Sequence, residues 1–394
     1  MEQVFLYDAV RTPFGKYGGA LAGIRPDDLA ALVVRTLVER HPQLEPERLD
    51  EVLLGNANGA GEDNRNVARM AGLLAGLPVT VPAGTVNRLC GSSLDASIAG
   101  SRAVALGDAE LVLVGGVESM SRSPWVLPKP ERPYPAGSAE LVSTALGWRL
   151  VNPEMPQAWT VSLGEATEQL REREGISRED QDAFALRSHQ RAAQAWSDGF
   201  FAEHVVAVPG VALDRDESIR PDTAADRLAA LQPVFRTDGT VTAGNASPLS
   251  DGASGALLGT AAAAELLDRE PLARVAGWGA AANEPQFFGF APVEAADRAL
   301  ARAGIDWADV GAVELNEAFA AQALACVRAW DVDPEQVNQR GGAIAIGHPL
   351  GASGTRLLGT LAHVLRQNGQ RWGVAAICIG VGQGLAVVLE NPGG

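Results

Sequence analysis

The stretch Gly84-Thr85-Val86-Asn87-Arg88-Leu89-Cys90-Gly91-Ser92-Ser93 decides how the rest of the chain is read. Its first three residues favour an extended strand, and the segment from Ser93 to Leu106 is helix-like in composition. That spacing puts Cys90 at the junction into a helix N-terminus, where unpaired N–H groups and the helix dipole favour a thiolate over a thiol. Gly91, Ser92 and Ser93 keep the surroundings small and hydrogen-bonding, so a ligand carbonyl can approach the sulfur. A free cysteine is more often a buried packing residue. Cys90 alone therefore assigns nothing.

Working outward, Val4 to Leu6 reads as a first strand. Asp27 to His41 reads as an amphipathic helix with Leu29, Leu32, Val33 and Leu37 on one face, and Glu51 to Leu54 as a second strand ending in Gly55-Asn56-Ala57. The helix after Cys90 is small or apolar almost all round (Leu94, Ala96, Ile98, Ala99, Ala103, Val104), which predicts burial on two sides. Gly107 closes it and Leu111 to Val114 follows as a buried strand.

After Arg274 the same order recurs. Val275 to Trp278 is a predicted strand, Val293 to Ala303 a helix, and Ala312 to Asn316 echoes the strand that ends at Asn56. A Gly-rich loop, Gly341 to Gly354, leads into a helix carrying Leu357, Leu358, Leu361, Val364 and Leu365. Gly369 ends that helix before a buried strand, Val374 to Ile379. Two β-α-β-α-β halves are expected, with mixed sheets enclosing shared helices in an α/β fold. Chance repetition of a common α/β order is the alternative.

The segment from Ser121 to Asn245 interrupts this pattern. It is Pro-rich at first (Pro124, Pro128, Pro130, Pro133, Pro135) and then carries a helix opened by Ser177-x-x-Asp180, a capping-box variant. A long insertion within a repeat is usually a lid or binding loop, and Gly255 to Leu258 then completes the first half. The expected units are 1–120 with 246–270, a loop domain over 121–245, and 271–394.

Composition narrows the function classes. The net charge of −16 argues against bulk nucleic-acid binding, so an anionic ligand must be met by local arginines. Three cysteines in 394 residues make no disulfide framework and point to a reducing compartment. No metal-ligand spacing, signal-peptide pattern or membrane-length apolar run is present in the sequence, so a cytoplasmic protein without a metal is expected.

Three further stretches surround a reactive side chain with small residues. Asn316-Glu317-Ala318-Phe319-Ala320 places an amide at a strand end, Gly347-His348-Pro349-Leu350-Gly351 places one of five histidines in a Gly-rich loop, and Cys378-Ile379-Gly380-Val381-Gly382 places a second thiol at a strand end. Each alone also reads as turn chemistry or packing. Duplicated halves would bring all four to one sheet edge, where α/β folds bind ligands.

In combination these motifs resemble the thiolases, acyltransferases that use coenzyme A, and the resemblance runs from Arg11-Thr12-Pro13-Phe14-Gly15 to Cys378-Ile379-Gly380. It implies the layered αβαβα sandwich with an inserted loop domain. It implies that Cys90 is the acylated nucleophile, His348 the base that activates it, and Cys378 the group exchanging a proton with the α-carbon of acetyl-CoA. Oxyanion holes would come from His348 with a water held by Asn316, and from the backbone N–H groups of Cys90 and Gly380. CoA enters as a substrate, with contacts expected from Arg220, Ser247, Ala246, Ala318 and Phe319, and with Val234 and Phe235 on the adenine side. The family further implies a homodimer or homotetramer.

Two departures bear on the acyl channel: Ser162-Leu163-Gly164-Glu165 stands where many members have His-Met-Gly, and Arg227 replaces a small polar residue. Arg88 and the segment Gly147-Trp148-Arg149-Leu150-Val151-Asn152-Pro153 resemble degradative members, 3-oxoadipyl-CoA thiolases among them. There Arg149 could pair with a distal carboxylate. A biosynthetic acetoacetyl-CoA thiolase is the alternative. A decarboxylating relative would not need Cys378, and a non-catalytic CoA- or lipid-binding relative should have lost Cys90 or His348.

Overall fold

The computed structural model describes residues 2–394. The first half runs β1 (Val4–Arg11), β2 (Gly15–Lys16), α1 (Pro26–Glu39), β3 (Glu51–Gly55), α2 (Val67–Ala75), β4 (Ala83–Val86), α3 (Ser92–Leu106) and β5 (Leu111–Ser119). The insertion holds a small hairpin, β6 (Trp125–Val126) with β7 (Val142–Ser143), and three helices: α4 (Leu163–Arg173), α5 (Arg178–Ser197) and α6 (Ala225–Ala229). β8 (Ser250–Gly259) and α7 (Ala263–Leu267) complete this half. The second half runs β9 (Ala273–Ala282), α8 (Pro292–Ala303), β10 (Val310–Leu315), α9 (Ala320–Trp330), α10 (Ala343–Ile346), α11 (Ser353–Asn368), β11 (Trp372–Ile379) and β12 (Gln383–Glu390).

The pairing pattern repeats strand for strand. In the first half β8 lies antiparallel between β1 and β5, and β5, β3 and β4 run parallel. In the second, β12 lies antiparallel between β9 and β11, and β11 runs parallel to β10. A parallel bridge from Val313 to Val337 stands where β4 would be. The sheets expected from sequence are joined into one: β1 pairs with β9 through Val4–Val275, Phe5–Arg274 and Leu6–Ala273, giving a ten-stranded sheet of a nine-strand path with β2 paired to β8 beside it. The two first strands meet over three residue pairs only, where β1 keeps β8 and β9 keeps β12 on the other side.

Three cores separate the five layers. α1 and α2 cover the first half through Leu29, Val33, Leu37, Val67 and Ala71, packed on Val52, Leu54, Leu113 and Leu257. α8 and α9 cover the second through Ala295, Ala299, Leu300, Ala323 and Val327, on Val313, Leu315, Val374 and Val388. Between them α3 and α11 share a core with strands of both halves, Leu94, Ile98, Leu357 and Leu361 meeting Val112, Leu258, Ile377 and Leu385. That double burial leaves α3 only a narrow outer stripe of Asp95, Arg102 and Leu106, and it is the layered sandwich anticipated above. Close approach of the halves needs small residues: a Cβ on Gly116 of β5 would overlap the carbonyl of Gly351, which follows His348 by three residues. Among the described residues no helix is long and apolar enough to cross a membrane.

Candidate active site

The sequence around Cys90 ties its own turn. Asn87 Oδ1 accepts from Leu89 N–H at 3.0 Å, Arg88 N–H donates to Ser92 Oγ at 2.9 Å, and Ser92 Oγ–H donates to Leu89 O at 2.6 Å. These bonds force Leu89 to φ +47°, a left-handed conformation that a branched side chain rarely adopts. The chain then passes through a 3-10 turn, Leu89–Gly91, into α3. Cys90 is thereby lifted to the head of α3, 8 % exposed and opening onto a cavity of about 430 Å³.

The helix-terminus argument for a thiolate does not survive this setting. Burial pushes the Cys90 thiol up to about 11, although the N–H groups of Gly380 and Cys90 itself favour the charged form. His348 moves the opposite way: burial, aided by the charge of Arg356, depresses it to about 3. Both groups are therefore neutral near pH 7. The correction is physical: one helix end cannot outweigh removal of a sulfur anion from water.

His348 lines the same cavity as Cys90. Its Nδ1 lies 2.6 Å from Ser353 Oγ, and the Ser353 hydroxyl proton is already committed to Pro349 O at 2.9 Å. Ser353 can only accept, so Nδ1 carries the imidazole proton and Nε2 keeps its lone pair. Asn316 Nδ2 lies 3.2 Å from that Nε2, and Asn316 Oδ1 has no partner within the protein. With an unprotonated base and a protonated thiol, alkylation of Cys90 in the free protein is expected to quicken with pH across the neutral range. An imidazolium–thiolate pair would instead give a plateau reaching below pH 6; stopped-flow with iodoacetamide at constant ionic strength distinguishes them.

Cys378 does not reach the cavity surface. It is fully buried behind the wall, packed with Phe288, Ala318 and Phe319, three residues that do line the cavity. Burial and then the neighbouring sulfur of Cys90 hold its thiol well above the usual range. It is the next-to-last residue of β11, and the turn to β12 places Val381 at φ +69°, uncommon for a β-branched residue, and Gly382 at +74°. That turn presents the Gly380 N–H to Cys90.

The remaining expected contacts divide. Ser247, Ala246, Phe235, Ala318 and Phe319 line the cavity with Cys90, and Arg220 lines a second one of about 350 Å³. Ala246, Pro248 and Leu249 border both, so the two lie side by side along one wall. Val234 lines neither and is 59 % exposed; the chain bends at Val234 and Phe235, and only the Phe235 ring reaches a cavity wall. Phe235 faces the catalytic cavity and not the Arg220 cavity. Arg227 is an exposed partner of Asp222. Arg149 is exposed beside Leu146, Gly147 and Trp148, which form cavity wall, and its Nη1 donates to Thr144 O at 3.2 Å. Sequence reasoning missed Lys16, Tyr17 and His189 in the Arg220 cavity, and Met120, Thr160 and Leu350 in the other. Their only sequence signal was proximity to the motifs, which says nothing of distance in space.

Two family models account for nearly the whole chain: one described as thiolase, N-terminal domain, matches residues 4–262, and one described as thiolase, C-terminal domain, matches 269–391. The chain belongs to the thiolase family. This thiolase is 48 % identical to a β-ketoadipyl-CoA thiolase of Escherichia coli and to another of Pseudomonas putida, each alignment covering 99 % of this chain and all of the relative. It superposes on human mitochondrial 3-ketoacyl-CoA thiolase in complex with CoA with a TM-score of 0.93, at 37 % identity, over 99 % of this chain and 98 % of that one. It is an acyltransferase, with CoA as a substrate.

Proposed function

We propose that this thiolase cleaves 3-oxoadipyl-CoA with CoA to acetyl-CoA and succinyl-CoA, a step of aromatic catabolism, through a succinyl group carried on Cys90. The observation that carries the reading is a lone-pair-bearing His348 Nε2 and the Cys90 thiol on one cavity wall, with Cys378 immediately behind it.

In the first half-reaction Cys90 sulfur adds to the C3 carbonyl as its proton passes to His348 Nε2. The C2–C3 bond then breaks, its electron pair enters the acetyl-CoA enolate, and Cys378 donates the proton that quenches it. Before the second half-reaction the proton held on His348 passes to the Cys378 thiolate, restoring both groups. The CoA thiol then gives its proton to His348 and its sulfur takes the acyl group, and the departing Cys90 sulfur takes that proton back. The oxyanions need fixed donors, which the Asn316 and His348 side chains and the N–H groups of Cys90 and Gly380 supply. High thiol pKa values suit both steps: a neutral Cys378 is an acid with a proton to give, and a neutral Cys90 needs the base beside it.

CoA binding is supported by the two adjacent cavities. The nucleotide end would meet Arg220, Lys16 and His189, and the pantetheine arm would follow Ala246 and Ser247 to Cys90. The inserted segment 121–245 would then act as the binding domain between the two halves. Self-association as a dimer or tetramer is supported by the free edge of β4 and the exposed Leu73, Leu74 and Val79 near it; sedimentation should give at least twice the 41.1 kDa of one chain.

The substrate is tested against 3-oxohexanoyl-CoA, which has the same chain length but ends in a methyl group. The 3-oxoadipyl ester is expected to have a kcat/KM about 10- to 100-fold higher, the value of one charged hydrogen bond. Arg149→Ala should erase most of that ratio and leave the 3-oxohexanoyl rate alone. Equal or reversed preference in the wild type contradicts the dicarboxylyl reading, and an unchanged ratio in the variant removes Arg149 from it.

A further inference from the structure

Two buried carboxylates with no part in the chemistry above hold opposite ends of the segment that carries His348. Towards its start, Glu317 Oε2 accepts from Ile344 N–H at 3.1 Å and from Ser188 Oγ–H at 2.7 Å, while Oε1 accepts from Asn338 Nδ2 at 2.7 Å. Towards its end, Glu118 Oε2 accepts from Gly351 N–H and from Ala57 N–H, both at 2.9 Å. Glu118 is 2 % exposed and Glu317 1 %, and neither lines the cavity.

Such groups are costly. Burial pushes Glu118 up to about 8 and raises Glu317, and an apolar residue would fill either site without that penalty. What a carboxylate adds is a small acceptor able to take several N–H donors at one point. The loop has closed down onto them: a Cβ on Gly342 would overlap the Glu317 carboxyl group.

The anchors also belong to different halves. His348 is borne by the second half, as is Glu317, whereas Glu118 lies near the end of β5 in the first half, where Cys90 resides. Ser250 of β8, in the first half too, accepts from His348 N–H at 3.0 Å. A base delivered across a domain junction must be registered on the nucleophile's side of it, and Glu118 supplies that registration.

We propose that Glu118 and Glu317 are positioning residues that clamp residues 344–351 at both ends, so that His348 Nε2 is presented to the Cys90 sulfur. The proposal rests on the reading of Cys90 as nucleophile and His348 as base. Glu118 acts as an acceptor and not through its proton or its charge.

Steady-state thiolysis of acetoacetyl-CoA by the full chain tests this with Glu118→Leu, Glu118→Gln and, in parallel, His348→Asn. Glu118→Leu leaves the Gly351 and Ala57 N–H groups unpaired, and is expected to lower kcat about 100-fold with KM for CoA within about two-fold, as for a misplaced catalytic group. Glu118→Gln keeps an oxygen for both N–H groups and should recover most of that loss, to within about five-fold of wild type, with an unshifted pH profile. A Gln variant as impaired as the Leu variant, or a Leu variant whose kcat and KM move together, overturns the clamp. Should the Leu variant not fold, the Gln variant decides: a wild-type-like pH profile supports the acceptor role and a displaced limb contradicts it. If His348→Asn keeps the wild-type rate, the base itself is misassigned; if it is inactive while Glu118→Leu is unimpaired, only the clamp fails.

Discussion

Cys90→Ala is expected to lose about 10⁵-fold in kcat for thiolysis, the scale seen when a covalent nucleophile is removed. The loss should fall on both half-reactions, because no other thiol opens onto the cavity: Cys378 lies behind its wall and Cys326 is fully buried near Gly289. Exchange of labelled CoA into acetyl-CoA, which needs only acyl transfer to and from the enzyme, should vanish with it. The fold should persist, since Cys90 sits at the cavity edge of the central core and the replacement removes one sulfur atom. Circular dichroism checks that, and residual exchange above a hundredth of wild type would remove Cys90 from its role.

Cys378→Ala is expected to separate the same two activities. Carbon–carbon cleavage and condensation should fall about 10³-fold, the worth of a placed general acid–base group. CoA exchange into acetyl-CoA should continue within about ten-fold of wild type, because thioester exchange forms no carbanion. Loss of α-deuterium uptake by acetyl-CoA in D₂O is the confirming measurement. If exchange collapses together with cleavage, Cys378 supports the acyl step or the fold and not the proton transfer.

Much of the architecture was legible because backbone signals repeat. Gly107 and Gly369 end matching helices with left-handed caps, and Leu111 to Val114 and Val374 to Ile379 are matching buried strands. The small-residue run after Cys90 foretold a helix buried on two sides, which α3 is. Other elements left weak traces. α4 turns only Gly164, Ala166, Thr167, Glu168 and Leu170 inward, too few apolar residues to register a period. β12 is buried over Gly384 to Leu389 and so lacks the alternation that marks a half-exposed strand.

At the site, residue identity was legible and environment was not. The four motifs named Cys90, Asn316, His348 and Cys378, but the state of the Cys90 thiol depends on burial by segments hundreds of residues away, and the local helix-end argument pointed the wrong way. Val234 and Phe235 could not be told apart without knowing how the chain bends there. Glu118 did leave a signal: an acid within the apolar run Leu111 to Val117 and Ser119 is out of place unless hydrogen-bonded. Glu317, between Asn316 and Ala318, left the same one.

The division of labour between the two sulfurs is tested most directly by trapping the acyl group. Protein mixed with 3-oxoadipyl-CoA without free CoA, quenched in acid and digested, should carry a succinyl thioester on the peptide containing Cys90 and none on that containing Cys378. A succinyl group on Cys378, on Cys326 or on no cysteine at all would contradict the account.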